Sequence, residues 1–321
     1  SYLSYDNRNA NNAIAWMRSH ANDQRPWALF VGFVCPHPPY IGPPEHFERY
    51  SSDRIRPMPQ EDHCDWPNHS AIREFRNVMG MGKPLTDSQR LNYRCAYLAA
   101  CTHLDDQIGK ILSTLDQLGL RERTRVLYAS DHGESMGARG LTGKMTMYDE
   151  SVSVPMIMAG PEVPIGRVVT TPVSLVDCFP TVLQATGCSM PNERLPGTNL
   201  MTIASSDDQD RTVFSEYHAV GFRRAVFMLR DSRYKYIHYV GMQPQLFDLI
   251  ADPNESNDLA RHNDYAETVK DFEQRLRAIV DPEDTDARAR ADQWLKVEAA
   301  GDPSAVIKRG TFANSPTPGE K

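Results

Sequence analysis

Residues 125–134 read RVLYASDHGE, a short apolar run that delivers Ser130, Asp131, His132, Gly133 and Glu134 at its carboxyl end. Four to five apolar residues bounded by polar ones read as a strand. In an open α/β sheet, ligands gather just beyond the carboxyl ends of strands. A carboxylate beside an imidazole can reach one cation with both, and a glycine after them lets the backbone turn away. The same stretch also reads as a plain polar turn in which Asp131 caps the next segment, and both readings stand at this point. Working outward, WALFVGFV at 27–34 and VPMIMA at 154–159 are further strand candidates. Between the first two candidates lie the prolines Pro36, Pro38, Pro39, Pro43, Pro44, Pro57, Pro59 and Pro67, which rule out regular structure there. A capping box of Thr86 with Gln89 then opens a helix. Its apolar face is Tyr97, Leu98, Cys101, Leu104, Ile108, Ile111, Leu115 and Leu118, and Gly119 stops it. A further helix covers 175–185. Strands alternating with helices predict an α/β domain over 1–205, with a mostly parallel sheet flanked by helices.

The pattern changes at 206. Short apolar runs at 212–217, 225–230, 234–239 and 245–249 follow one another closely, with a helix over 267–279. They predict a small antiparallel subdomain over 206–285. Residues 286–321 are rich in Ala, Asp, Arg, Gly and Pro, and read as a tail that needs a partner surface, hence a homo-oligomer.

Composition narrows the class. The 321 residues are 40% hydrophobic and 24% charged, an ordinary globular balance. Acidic residues number 42 against 35 basic ones, a net charge of −7, which argues against a nucleic-acid partner. No apolar run approaches the ~20 residues of a membrane helix. The six cysteines are scattered and form no CxxC pair, so neither a disulfide scaffold nor a zinc site is expected. Free thiols favour a reducing, cytoplasmic setting. The opening SYLSYDNRNANN is not a signal peptide and not the usual start of an α/β domain. It reads as the later part of a longer protein, which leaves a leader upstream open.

Two more loops carry chemistry. Lys144 follows Gly143, and His37 lies in PHPPY at 36–40, held stiff by prolines. Each alone also reads as an ordinary loop residue. Together, a cation, an imidazole and a metal-ligand pair at strand ends point to an anionic tetrahedral substrate.

With those motifs in view, the chain resembles the C-terminal two-thirds of a sulfatase of the alkaline phosphatase superfamily. PHPPY at 36–40, LDDQIGKIL at 104–112, YASDHGE at 128–134 and GLTGKMTMYDESVSVP at 140–155 carry the resemblance. So do PVSLVDCFPTVLQATG at 172–187 and the run from YKYIHY at 234–239 to QLFDLIADPNESNDLA at 245–260. The resemblance implies a fold whose first strands are missing from this chain. It implies a sulfate-ester hydrolase in which Asp131 and His132 hold a divalent metal, Ca²⁺ or Mn²⁺. Lys144 would bind the sulfate, and His37 would bind it near the leaving oxygen and act as general acid. The Asp-His pair is similar to the choline-sulfatase-like and phosphonate-monoester-hydrolase-like branches, where sulfatases often have Asp-Asn. The imidazole tilts the metal preference toward Mn²⁺. Asp105 and Asp106 read as helix packing and solvation.

The family's nucleophile is a formylglycine made from Cys or Ser in a C/S-x-P-x-R motif, and no such run occurs in 1–321. Cys35-Pro36-His37 lacks the arginine, and Cys188-Ser189-Met190-Pro191 has its proline one place late. The expectation is a fragment, inactive by itself, of an enzyme acting on small sulfate esters. The alternatives are a phosphonate monoester or phosphodiester hydrolase, and a non-catalytic pseudoenzyme or binding fragment.

Overall fold

The computed structural model describes residues 1–190, 195–206 and 210–309. Helix α1 (Tyr2–His20) is capped by Ser1 and buries Asp6, Ala10, Ala13 and Met17 along one stripe. It packs on the long helix α4 (Asp87–Gln117), which the reciprocal Thr86–Gln89 capping box opens. The chain leaves α4 at Leu118, and Gly119 follows in the left-handed region at φ 66°, where glycine is strain-free. Short helices α2 (Pro44–Phe47) and α3 (Ser70–Val78) lie between them in sequence.

Strands β1 (Val126–Ala129) and β2 (Met156–Ala159) form one antiparallel ladder, with α5 (Asp149–Val152) just before β2. The mostly parallel sheet expected over 1–205 is therefore not what the described residues build. The reason is visible at 27–34. This segment forms no regular secondary structure and joins no ladder among the described residues, so β1 pairs with the antiparallel β2 alone. Side chains hold 27–34 instead. Trp27 and Leu29 join Met17, Leu115 and Leu120, while Phe33 joins Cys35, Ala100 and Leu104. Helices α6 (Cys178–Ala185) and α7 (Leu200–Ser205) follow β2.

The C-terminal part is an antiparallel meander of β3 (Val213–Tyr217), β4 (Val226–Arg230), β5 (Tyr234–Tyr239) and β6 (Gln245–Asp248), in that spatial order. Both faces are buried. Phe227, Leu229, Tyr236 and Leu246 pack on Phe272 and Leu276 of α8 (Ala266–Ile279). Val226, Met228, Ile237, Tyr239 and Phe247 pack on Ala71, Ile72 and Phe75 of α3 and on Leu141, Met147 and Tyr148. The sheet thus shares a core with the segment that precedes β2.

Helix α9 (Pro282–Ala299) runs straight through 285/286, where the sequence suggested a tail would begin. Asp281 caps it, Pro282 fits its first turn, and buried Asp286 takes the Ala225 N–H at 2.7 Å and pairs with Arg224 at 3.0 Å. Helix α10 (Pro303–Arg309) follows. The rest of the expected tail, 310–321, lies outside the described residues, as do 207–209 at the expected subdomain boundary and Pro191. No described helix is long and apolar enough to cross a membrane.

Candidate active site

The turn after 27–34 is set from α1. The fully buried Asp6 carboxylate accepts the N–H groups of Val34 at 2.8 Å and Cys35 at 2.9 Å, one on each oxygen. His37 N–H then closes the turn onto the Val34 carbonyl at 2.9 Å. The His37 Nδ1 lies 2.7 Å from the Pro38 carbonyl. A carbonyl only accepts, so Nδ1 carries the hydrogen and Nε2 is the free face of the ring.

Past β1, the Asp131 side chain accepts the His132 N–H at 3.0 Å, and Ser130 Oγ donates to the His132 carbonyl at 2.8 Å. His132 Nδ1 donates to the Gly133 carbonyl at 2.9 Å, which leaves its Nε2 lone pair 3.5 Å from Asp131 Oδ2. Gly133 is not where the chain turns through a left-handed residue; its requirement is one of space. A Cβ there would sit 2.1 Å from the Glu150 carbonyl oxygen, and its N–H donates to the Ser151 carbonyl at 2.8 Å. The Lys144 loop is pinned to this turn. Gly143 N–H donates to Glu134 Oε1 at 2.6 Å, and Ser135 N–H to the Gly143 carbonyl at 2.8 Å. Lys144 lies between Gly143 at φ 78° and Met145 at φ 94°, the latter a left-handed conformation that a side chain rarely adopts.

The three loops meet. The His37 and His132 ring centroids are 6.5 Å apart, and the charges of Lys144 and Asp131 both act on the His37 ring. Burial, then the nearby Lys144 and His132, holds the His37 imidazole below the ordinary histidine range. At neutral pH it is a neutral ring with an accepting Nε2, not the imidazolium that a general acid requires. A bound anion would work the other way and favour the proton. Burial also draws the Lys144 ammonium below the ordinary lysine range, only partly offset by Glu134 and Asp131. Among the described residues Lys144 makes no ion pair within 4.0 Å, so its charge is available to a ligand.

The sequence reading did not single out Glu134, Tyr93, Tyr40 or Asp6. Glu134 accepts from Tyr93 Oη at 2.6 Å, and with that hydrogen committed Tyr93 Oη accepts from Tyr40 Oη at 3.0 Å. Burial, with Glu134 beside them, pushes both phenols above the ordinary range, so they stay donors. Only the position of Glu134 at the end of SDHGE hinted at it. Asp6 gave no signal, since one acidic residue in a helical stripe resembles a surface residue. Cys35 is buried, and burial together with Asp6 pushes its thiol up, away from a reactive thiolate. Asp106 pairs with His46 of α2 at 2.9 Å. No group of three or more metal-ligating side chains occurs among the described residues.

A cation and two imidazoles from separate loops lie near one carboxylate, a set of groups of the kind that can hold a tetrahedral oxyanion. The sulfatase family model matches residues 2–188, and the model for the C-terminal part of N-sulphoglucosamine sulphohydrolase matches 137–281. This chain belongs to the sulfatase family. It is 32% identical to arylsulfatase K of Mus musculus over 310 residues, covering 87% of this chain and 54% of that protein. It is 30% identical to the choline-sulfatase of Rhizobium meliloti over 302 residues, covering 90% and 58%. The phosphonate monoester hydrolase of Silicibacter pomeroyi has a similar fold, with a TM-score of 0.73 at 24% identity, over 83% of this chain and 58% of that one. The chain spans about half the length of the curated relatives it matches.

Proposed function

We propose that this chain supplies one part of a sulfate-ester hydrolase site, with the nucleophile on residues outside 1–321. The observation that carries the reading is the convergence of His37, Asp131, His132 and Lys144 from three loops. Lys144, half-buried and in no ion pair within 4.0 Å among the described residues, holds the sulfate oxygens. His37 offers Nε2 to the ester, and the anion raises its affinity for the proton that the leaving oxygen takes. Asp131 Oδ2 and His132 Nε2 fit a divalent cation as a carboxylate–imidazole pair, and Ca²⁺ or Mn²⁺ there would supply charge stabilisation for the sulfuryl group. Two donors are about a third of the ligands such an ion takes, so this chain alone binds it weakly. No C/S-x-P-x-R run occurs in 1–321, so a formylglycine nucleophile for this site would have to come from other residues. The exposure of Phe30, Ile157, Val176 and Phe179, apolar side chains that further residues would cover, supports a site completed by other residues.

The test compares aryl sulfate and aryl phosphonate monoester turnover by residues 1–321 alone and by the chain extended upstream. The expected result is turnover of the sulfate by the extended chain only, falling about 100-fold in Lys144→Met. A faster phosphonate reaction would move the substrate class. An inactive extended chain would favour a binding protein.

A further inference from the structure

We propose that Lys235 and Glu255, on and just after the C-terminal sheet, are positioning residues for the site: they hold the Asp131-His132 turn and the Lys144 loop in register. The inference uses the hydrolase reading only to name the reaction. Lys235 projects from β5 with no solvent exposure, and its ammonium pairs with both Asp149 and Glu255. Glu255 is equally enclosed, and its other oxygen takes the Asp149 N–H at 2.8 Å. Arg139 extends the cluster. It pairs with Glu150, approaches Glu255 at 3.6 Å, donates to the Asn254 carbonyl, and lies over the Tyr148 ring at 4.3 Å. Arg230 reaches Asp149 at 3.4 Å. Three cations thus face three carboxylates, and Lys235, Glu255 and Arg139 are buried, where an unpaired charge would be costly.

The cluster is tied to the site through the backbone. The Glu150 carbonyl lies against Gly133, and the Ser151 carbonyl takes the Gly133 N–H. The other side of the same turn holds Gly143 through Glu134 and Ser135. Fixing 149–151 therefore fixes Gly133, and Gly133 fixes both loops. Nothing in the pairs themselves touches a substrate position, so these residues act through 149–151.

The test is the double variant Lys235→Met with Glu255→Gln, which removes one charge of each sign, read by hydrogen exchange and mass spectrometry on the full chain. Expected is at least a tenfold faster exchange in peptides covering 131–136 and 143–151, with β4 as protected as before. In the extended, active enzyme, kcat should fall about 100-fold with KM changed less than threefold, as expected for misplaced catalytic loops. Unchanged protection of the two loop peptides would overturn the proposal, and so would an equal loss of protection over β3–β6. Should the double variant not fold, Glu255→Gln alone is read by the same criteria. If the wild-type enzyme turns over no ester, the functional reading fails, and the exchange result still decides this one.

Discussion

Strands β2 and β4 are both short apolar runs, MIMA and VFMLR, yet they meet opposite fates. In β4 the first four residues are buried, because α8 covers one face of the sheet and α3 with residues 141–148 covers the other. In β2 burial alternates and Ile157 is 59% exposed. Phe30, in the segment 27–34, is 93% exposed. An apolar sequence is thus a demand for cover, and only the C-terminal sheet has it met on both faces by the described residues. The candidate-site loops lie between the two regions: His37 and Asp131 leave the uncovered side, and Lys144 belongs to the loop stapled to the covered one.

The largest expected effect is on the covered side. Phe247→Ala removes a fully buried ring from the shared core and should cost about 3–5 kcal/mol in urea unfolding. A loss below about 1 kcal/mol would mean that the sheet is no better packed than β1–β2. Next, Gly133→Ala forces a methyl group into the Glu150 carbonyl. It should cost about 1–3 kcal/mol and weaken sulfate binding, since the loop that moves carries His132. Calorimetric titration with sulfate at unchanged affinity would show that the turn is not held by that contact.

A smaller effect concerns acid. Burial lowers the affinity of His69 and His103 for the proton, as it does for His37. The unfolded chain then binds more protons near pH 6.5, so stability is fully present above that pH and falls as pH drops through it. His69 lies against Tyr239 of the covered sheet and gives Nε2 to the Gln243 carbonyl at 2.9 Å. His69→Gln should reduce the difference in unfolding free energy between pH 7.5 and 5.5 by an amount on the order of 1 kcal/mol or less. An unaltered difference would assign the acid sensitivity to the other side. The smallest effect sharpens the contrast: in residues 1–321 alone, Phe30→Ala should change stability by less than about 0.5 kcal/mol, because there its ring faces water. A large loss would mean that 27–34 is covered in solution by a contact not seen here.

Elements whose signals are local were legible in the sequence. The Thr86–Gln89 box, the Gly119 stop and the four strands of the meander need only neighbours in the chain, and they are found at or within a residue or two of the expected places. As candidates, His37, Asp131, His132 and Lys144 could be picked out from residue type and motif along the chain. Their convergence on one site needed the fold. Strand direction was beyond the sequence, because pairing depends on which other strand is within reach: 27–34 has the pattern of a strand and joins no ladder among the described residues. So was the union of the C-terminal sheet with the loop of Lys144. Lys235, Glu255 and Asp149 are scattered polar residues in sequence, and only burial in a low-dielectric core makes each charge require the others.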